Sequence, residues 1–138
     1  MDPQSAARIG RIARRQRTLF TQQQALSAGF DHSTIRRWVL EGIWEEPAPR
    51  VFRYATSECT WEDQLLAAIL SAAAVAARKS AAALFKLLSP PEIPELLVVR
   101  GRRNLNRASI HSTIDLPASD ITRVGVIPTT AQIGRAHV

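Results

Sequence analysis

Residues Thr21 to Gly42, TQQQALSAGFDHSTIRRWVLEG, constrain the fold more than any other stretch of the chain. They read as two short helices joined by a tight turn. Thr21 is a good N-cap, and Gln22, Gln23 and Gln24 keep the first turn of the helix solvated. Ala25 is small enough for close helix contact. Gly29, four residues on, supplies the left-handed conformation that a sharp turn needs. Asp31 caps the next helix, in which Ile35, Trp38 and Val39 recur at helical spacing on one buried stripe. Ser33, Arg36, Arg37 and Leu40 fall on the opposite side, and Gly42 ends the helix. The order of small residue, glycine and apolar positions is that of a helix-turn-helix, whose second helix enters the DNA major groove. An ordinary helical hairpin with a solvated basic face has the same pattern.

The flanking segments extend this reading. Ile9, Ile12, Ala13 and Gln16 share one face of a supporting helix over residues 6–16, with arginines around the rest. Beyond Gly42, Ile43–Glu46 and Arg50–Tyr54 have strand character, separated by a turn at Pro47-Ala48-Pro49. A hairpin directly after a recognition helix is the wing of a winged helix. On this reading Ser33, Arg36 and Arg37 face the groove with His32 and Thr34 beside them. Thr21, Arg50 and Arg53 hold the phosphate backbone, where contacts position the protein but carry no sequence information. Glu45 and Glu46 place opposing charge on the same hairpin.

The second half reads as helices packed on a small sheet. Thr60 and Asp63 form a capping box for a helix striped by Trp61, Leu65, Ala68, Ile69 and Ala72, with an Ala-rich continuation to Ala77. A further helix is expected over Ala81–Leu88, with Ser80 as its cap, before Pro90, Pro91 and Pro94 end the helical part. Leu96–Val99 and Ile121–Val126 are strand-like. Ala108–Ser112 is expected to pair back as a hairpin after a basic turn holding Arg102, Arg103 and Arg107.

Composition narrows the function classes. The chain has a formal charge of +6 and a pI near 11.0, and 16 of its 18 basic residues are Arg. Arg suits bidentate contacts to phosphate and guanine, although it also accumulates in GC-rich coding sequence. Cys59 is the one cysteine, so no intrachain disulfide forms and a reducing cytoplasm fits. No apolar run is long enough to span a bilayer, so no membrane role is expected. His32, His111 and His137 have no partners at metal spacing, and neither a metal nor another cofactor is expected. There is no nucleophile elbow, phosphate-cradling glycine loop or acid–acid–Lys constellation. Glu92 and Glu95 come nearest, without the Lys, so catalytic residues are expected to be none and the chain is not read as an enzyme.

The run ARRQRTLFT…ALSAGFDHSTIRRWVLEG…RVFRY…TWEDQLLAAIL…RKSAAALFKL…DITRV…IPTT resembles the N-terminal part of AbiEi-type antitoxins, from type IV toxin–antitoxin and phage abortive-infection systems. The resemblance reaches Thr130 and rests on several weak motifs in order. Family members often carry Gly where Arg50 stands and Ser-His where Ala77-Arg78 stands, so no role of that His transfers. The resemblance implies a winged helix binding inverted repeats of double-stranded DNA in its own promoter, repressing the operon. It also implies a later domain that counters a nucleotidyltransferase-like toxin without a stable complex. The alternative is the DNA-binding N-terminal part of a nuclease-like fusion whose catalytic domain is missing. Ile133–Val138 match the translation of a sequencing adapter and are expected to be non-native. The expected organisation is therefore α+β: a winged helix-turn-helix over 1–58, an incomplete α/β domain over 59–132, and a foreign tail over 133–138.

Overall fold

The computed structural model describes residues 3–55, 58–99, 109–113 and 121–131. Among them the architecture is mixed α+β, with five helices and two sheets. The chain forms two compact units, Met1–Ala67 and Ala68–Val138, and the division falls within a helix. The sequence reading divides it at residue 58. The expected foreign tail lies outside the described residues.

In the first unit, α1 (Pro3–Arg14) buries Ser5, Ile9 and Ala13. The supporting helix expected over 6–16 instead begins at Pro3, a residue that suits the first turn of a helix, and ends at Arg14. Ser5 is 1% exposed. The reason is a close helix approach: a Cβ on Gly29 would lie 2.3 Å from Ser5 Oγ. After α1 the chain reverses through Arg17 and Thr18, both at positive φ, with Thr18 N–H donating to the Ala13 carbonyl. It then enters β1 (Phe20–Thr21), α2 (Gln22–Ala28), α3 (His32–Leu40), β2 (Trp44–Ala48) and β3 (Val51–Tyr54). The antiparallel sheet has the order β1-β3-β2.

The hairpin turns later than its prolines suggest. β2 runs through Pro47 to Ala48, and the turn is Pro49-Arg50. The ladder tolerates Pro47 because the β2–β3 register shifts between Glu45 and Ala48, and proline is accommodated at such irregularities.

The core of this unit is aromatic. Trp44, 1% exposed, meets Phe20 edge-on at 4.7 Å between centroids, Phe30 at 5.0 Å and Trp38 at 5.2 Å. Phe52 and Tyr54 complete the ring of neighbours, each at 5.8 Å. Trp44 Nε1 has no hydrogen-bond acceptor among the described residues. Leaving a buried donor unmade costs about 1–3 kcal/mol. Aromatic pairs contribute about 0.5–1.5 kcal/mol each beyond area burial, so several of them offset that cost.

The helix α4 (Trp61–Ala72) begins with the expected capping box: Asp63 N–H donates to Thr60 Oγ1 at 3.2 Å and Thr60 N–H to Asp63 Oδ2 at 3.0 Å. Arg17 Nε adds a 2.8 Å ion pair to Asp63 Oδ1. Burial alone raises the Asp63 pKa, but the Thr60 backbone donor and the Arg17 guanidinium outweigh it, so the group sits below its ordinary 3.8.

In the second unit the Ala-rich continuation is not helical. Ala73 takes φ 55° and ends α4, and Ala74–Ala76 form β4. That strand is interior: it pairs antiparallel with β5 (Glu95–Val99) and parallel with β8 (Ile127–Thr130). Two neighbouring strands supply ladder bonds that outweigh alanine's helix preference. Thr129 Oγ1, fully buried, donates to the Ala76 carbonyl at 3.2 Å. The five-stranded order is β6-β5-β4-β8-β7, with β6 at Ser109–Thr113 and β7 at Ile121–Val124. β6 lies beside β5 but parallel to it, so the expected hairpin does not form. The basic turn expected before it lies outside the described residues.

The helix α5 spans Arg78–Leu84 rather than Ala81–Leu88. Lys86 at φ 64° ends it, with Leu87 N–H reaching back to the Ala82 carbonyl, before any proline is met. Ser80 is not its cap. Its buried Oγ accepts the Glu95 N–H, while the Glu95 carboxylate accepts the Lys79 N–H, both at 2.8 Å.

Gly29→Ala is expected to destabilise the protein by more than the roughly 1–2 kcal/mol of a left-handed alanine, because the new methyl also meets Ser5. In urea unfolding, adding Ser5→Ala should recover the excess and leave the backbone part; strict additivity of the two variants would refute the contact. Acid titration provides a separate check. Asp63 has a depressed pKa, so its contribution is fully present above 3.8 and is lost as pH falls through the folded value. Asp63→Asn should flatten the stability profile in that acid window, and an unchanged profile would contradict the assignment.

Candidate nucleic-acid interface

The α2–α3 pair is held at every joint by its own backbone and short polar side chains. Thr21 Oγ1 accepts the Gln24 N–H at 3.1 Å, and Gln24 Oε1 accepts the Thr21 N–H at 2.9 Å. Gln24 thus completes a capping box rather than only solvating the turn. Gly29 takes φ 117°, and Phe30 N–H donates to the Ala25 carbonyl. Arg8 Nη1 donates to the Ala28 carbonyl at 3.2 Å, placing a cation at the C-terminus of α2. Asp31 Oδ1 then accepts the Thr34 N–H at 2.7 Å. That bond, with Arg37 and His32 nearby, holds its pKa below the ordinary carboxylate value.

With both ends of the pair fixed, α3 has one orientation. Ile35 is buried, Trp38 and Val39 are half-buried against the aromatic core, and His32, Ser33, Arg36 and Arg37 are exposed. Leu40, on the same outer side, is 80% exposed. Gly42 takes φ 79° just past the helix, and Ile43 N–H returns to the Trp38 carbonyl.

The other expected contact residues separate into three cases. Thr34 is half-buried, with its N–H engaged by the Asp31 cap. Thr21 is also half-buried, its hydroxyl oxygen accepting in the capping box. Arg50 is exposed at the tip of the β2–β3 hairpin at φ 61°, a conformation that suits glycine. Its backbone is clamped from both sides: its N–H donates to Glu46 Oε2 and its carbonyl accepts the Gln22 N–H, each at 2.8 Å. The hairpin tip is thereby tied to the first residue of α2.

Arg53 corrects the sequence reading. It was expected on the phosphate backbone, yet it is 1% exposed. Its Nη1 pairs with Glu45 Oε1 and its Nη2 donates to the Glu58 carbonyl at 3.5 Å. The cause is sheet order: β3 is the central strand, and Val51, Phe52 and Arg53 are all buried. The carboxylates that seemed to oppose DNA are both engaged, Glu45 by Arg53 and Glu46 by the Arg50 N–H.

Between α3 and the hairpin lies an open cleft of about 230 Å³. Ile35, Val39 and Phe52 give it an apolar lining, and Gln22, His32, Arg36, Leu40 and Glu46 add to its walls. Sequence reasoning missed the parts of Gln22, Glu46 and Arg8, whose contacts are all long-range or backbone-directed. It also misplaced the charge. Through Ala67 nine arginines face eight carboxylates, so the excess of +6 belongs mostly to the second unit. Any electropositive face on the first unit arises from segregation, since two of its arginines are spent on Asp63 and Glu45.

Among the described residues no group of three His, Cys, Asp or Glu side chains is arranged to hold a metal, and no helix is long and apolar enough to cross a membrane. Cys59 is half-buried, and burial raises its thiol pKa.

No protein-family model matches the chain, and no curated protein matches it. Among solved structures, it is similar to the crystal structure of RV2827C protein from Mycobacterium tuberculosis, with a TM-score of 0.49 and 20% identity over 87% of this chain. The chain spans about half of that protein, 48% of its length. Similarity of this degree assigns neither a family nor a function.

Arg50→Gly is expected to raise stability by about 0.5–1 kcal/mol, since the left-handed strain removed exceeds the entropy that glycine loses on folding. A thermal midpoint that falls instead would show that the arginine side chain stabilises the hairpin by a contact.

Proposed function

We propose that residues 3–55 form a winged helix-turn-helix that binds double-stranded DNA, with α3 as the recognition helix and the β2–β3 hairpin as the wing. The observation that carries this reading is the outer face of α3. Four polar or basic side chains, His32, Ser33, Arg36 and Arg37, stand exposed on a helix whose two ends are fixed by an Asp cap and a left-handed glycine. A helix presented in this way lies in a major groove with its exposed face toward the base edges. Arg36 and Arg37 read bases, His32 and Ser33 lie against the groove edge, and Arg50 reaches phosphate from the wing. Thr21 caps α2 and the Thr34 N–H is held by the Asp31 cap of α3, and these bonds orient the contact groups. Arg53 has no part in contact.

The resemblance to AbiEi-type antitoxins extends the proposal to a repressor of its own operon, acting on inverted repeats in its promoter. In that setting the functional partner is a nucleotidyltransferase-like toxin, countered without a stable complex, in the cytoplasm. Two-fold operator symmetry needs two copies of the module, whether or not they associate off DNA.

A protein-interaction role has one observation in its favour: the near balance of charge in the first unit, together with exposed Leu40 and Ile43. Salt dependence separates the two, because phosphate contacts release counterions and protein contacts of this kind do not.

Duplex binding should weaken linearly in log–log salt titration. Arg36→Ala and Arg37→Ala should each cost about 1–3 kcal/mol against the preferred sequence, if each pairs with a guanine. Arg50→Gly should weaken all sequences alike and reduce the salt slope by about one contact. Unchanged affinity in both α3 variants would end the recognition-helix assignment, and absence of salt-sensitive binding would favour the protein-interaction role.

A further inference from the structure

We infer that Leu40 is a specificity-determining residue that reads the C5-methyl group of a thymine in the major groove. This rests on the DNA-binding reading above and names a base feature within it. Leu40 is the last residue of α3 and is 80% exposed, so it contributes little to the core. His32, Arg36 and Leu40 follow one another at four-residue spacing and wall the same cleft, whose lining includes Val39. The apolar surface is therefore larger than one side chain, and it lies beside a guanidinium suited to an anionic duplex.

The spacing fits the ligand. Four residues advance about 6 Å along a helix, which is close to two base-pair steps of about 3.4 Å. If Arg36 pairs with a guanine, Leu40 falls about two base pairs away. Among the four bases only thymine offers an apolar group in the major groove, its C5-methyl. Water between a leucine and that methyl is released on contact, which is the source of discrimination. A 5-methylcytosine presents the same methyl group, so it separates methyl recognition from recognition of the rest of thymine.

The test uses the full chain. A preferred site is selected from randomised duplexes, and each thymine in it is then replaced singly by uracil, which lacks only the methyl. The wild type should lose about three- to fivefold in affinity at one thymine, the scale of burying one methyl. Leu40→Ala should bind the thymine and uracil duplexes equally, while Leu40→Met retains the preference. Both variants should keep the wild-type thermal midpoint, since the side chain is exposed. Placing 5-methylcytosine opposite guanine at that position should restore part of the Leu40-dependent affinity over cytosine; no restoration would overturn recognition of the methyl. A selected site with no uracil-sensitive position, or with equal sensitivity in Leu40→Ala, overturns the inference and leaves DNA binding intact. Failure to enrich any site, together with salt-insensitive binding, overturns both.

Discussion

The packing of Trp44 among five other aromatic rings is the interaction on which the first unit depends. Six of the chain's eight Phe, Trp and Tyr residues take part. They come from β1, the α2–α3 turn, α3, β2 and β3, so one cluster ties four elements and a turn together. A two-residue strand such as β1 and helices of seven and nine residues are marginal alone. Their stability is tertiary, drawn from apolar burial at one point. The same packing explains why a buried indole N–H without an acceptor among the described residues is tolerated.

Around this core, polar groups set orientation. Thr21 with Gln24 and Asp31 with Thr34 act within one turn, whereas the clamp on Arg50 reaches Gln22, distant along the chain, and together they fix how the α2–α3 pair is held. Strain is concentrated where the chain must reverse. Arg17, Thr18, Arg50, Ala73, Arg78 and Lys86 adopt positive φ without being glycine. At Arg17 the unusual backbone accompanies an ion pair to the α4 capping box. At Arg50 it keeps a basic side chain on an exposed tip.

Legibility in the sequence followed the range of the interaction. The Thr21, Asp31 and Thr60 caps, the left-handed Gly29 and the buried stripe of α3 were readable because each depends on residues within one or two turns. Arg53 was misread because alternation alone cannot tell a central strand, covered on both faces, from an exposed wing. Ala74–Ala76 were misread for a similar reason: three alanines favour helix until strands on either side supply their hydrogen bonds. Ser80 looked like a cap, and only the return of β5 showed its hydroxyl receiving the Glu95 N–H. Of the residues expected to touch DNA, five are exposed: His32, Ser33, Arg36, Arg37 and Arg50. Thr21 and Thr34 are half-buried and Arg53 is buried, because capping and ion pairing are satisfied inside the unit first.

By itself, then, the sequence determined where α2 and α3 start and stop and which face of α3 is apolar. Those features follow from local backbone preference and a 3.6-residue period. Tertiary structure alone decided that β3 is central, that β4 is a strand, that β6 runs parallel to β5, and that Arg53 is internal. Each of these depends on a partner distant along the chain, and strand pairing and ion pairing leave no local signal of which partner will be met.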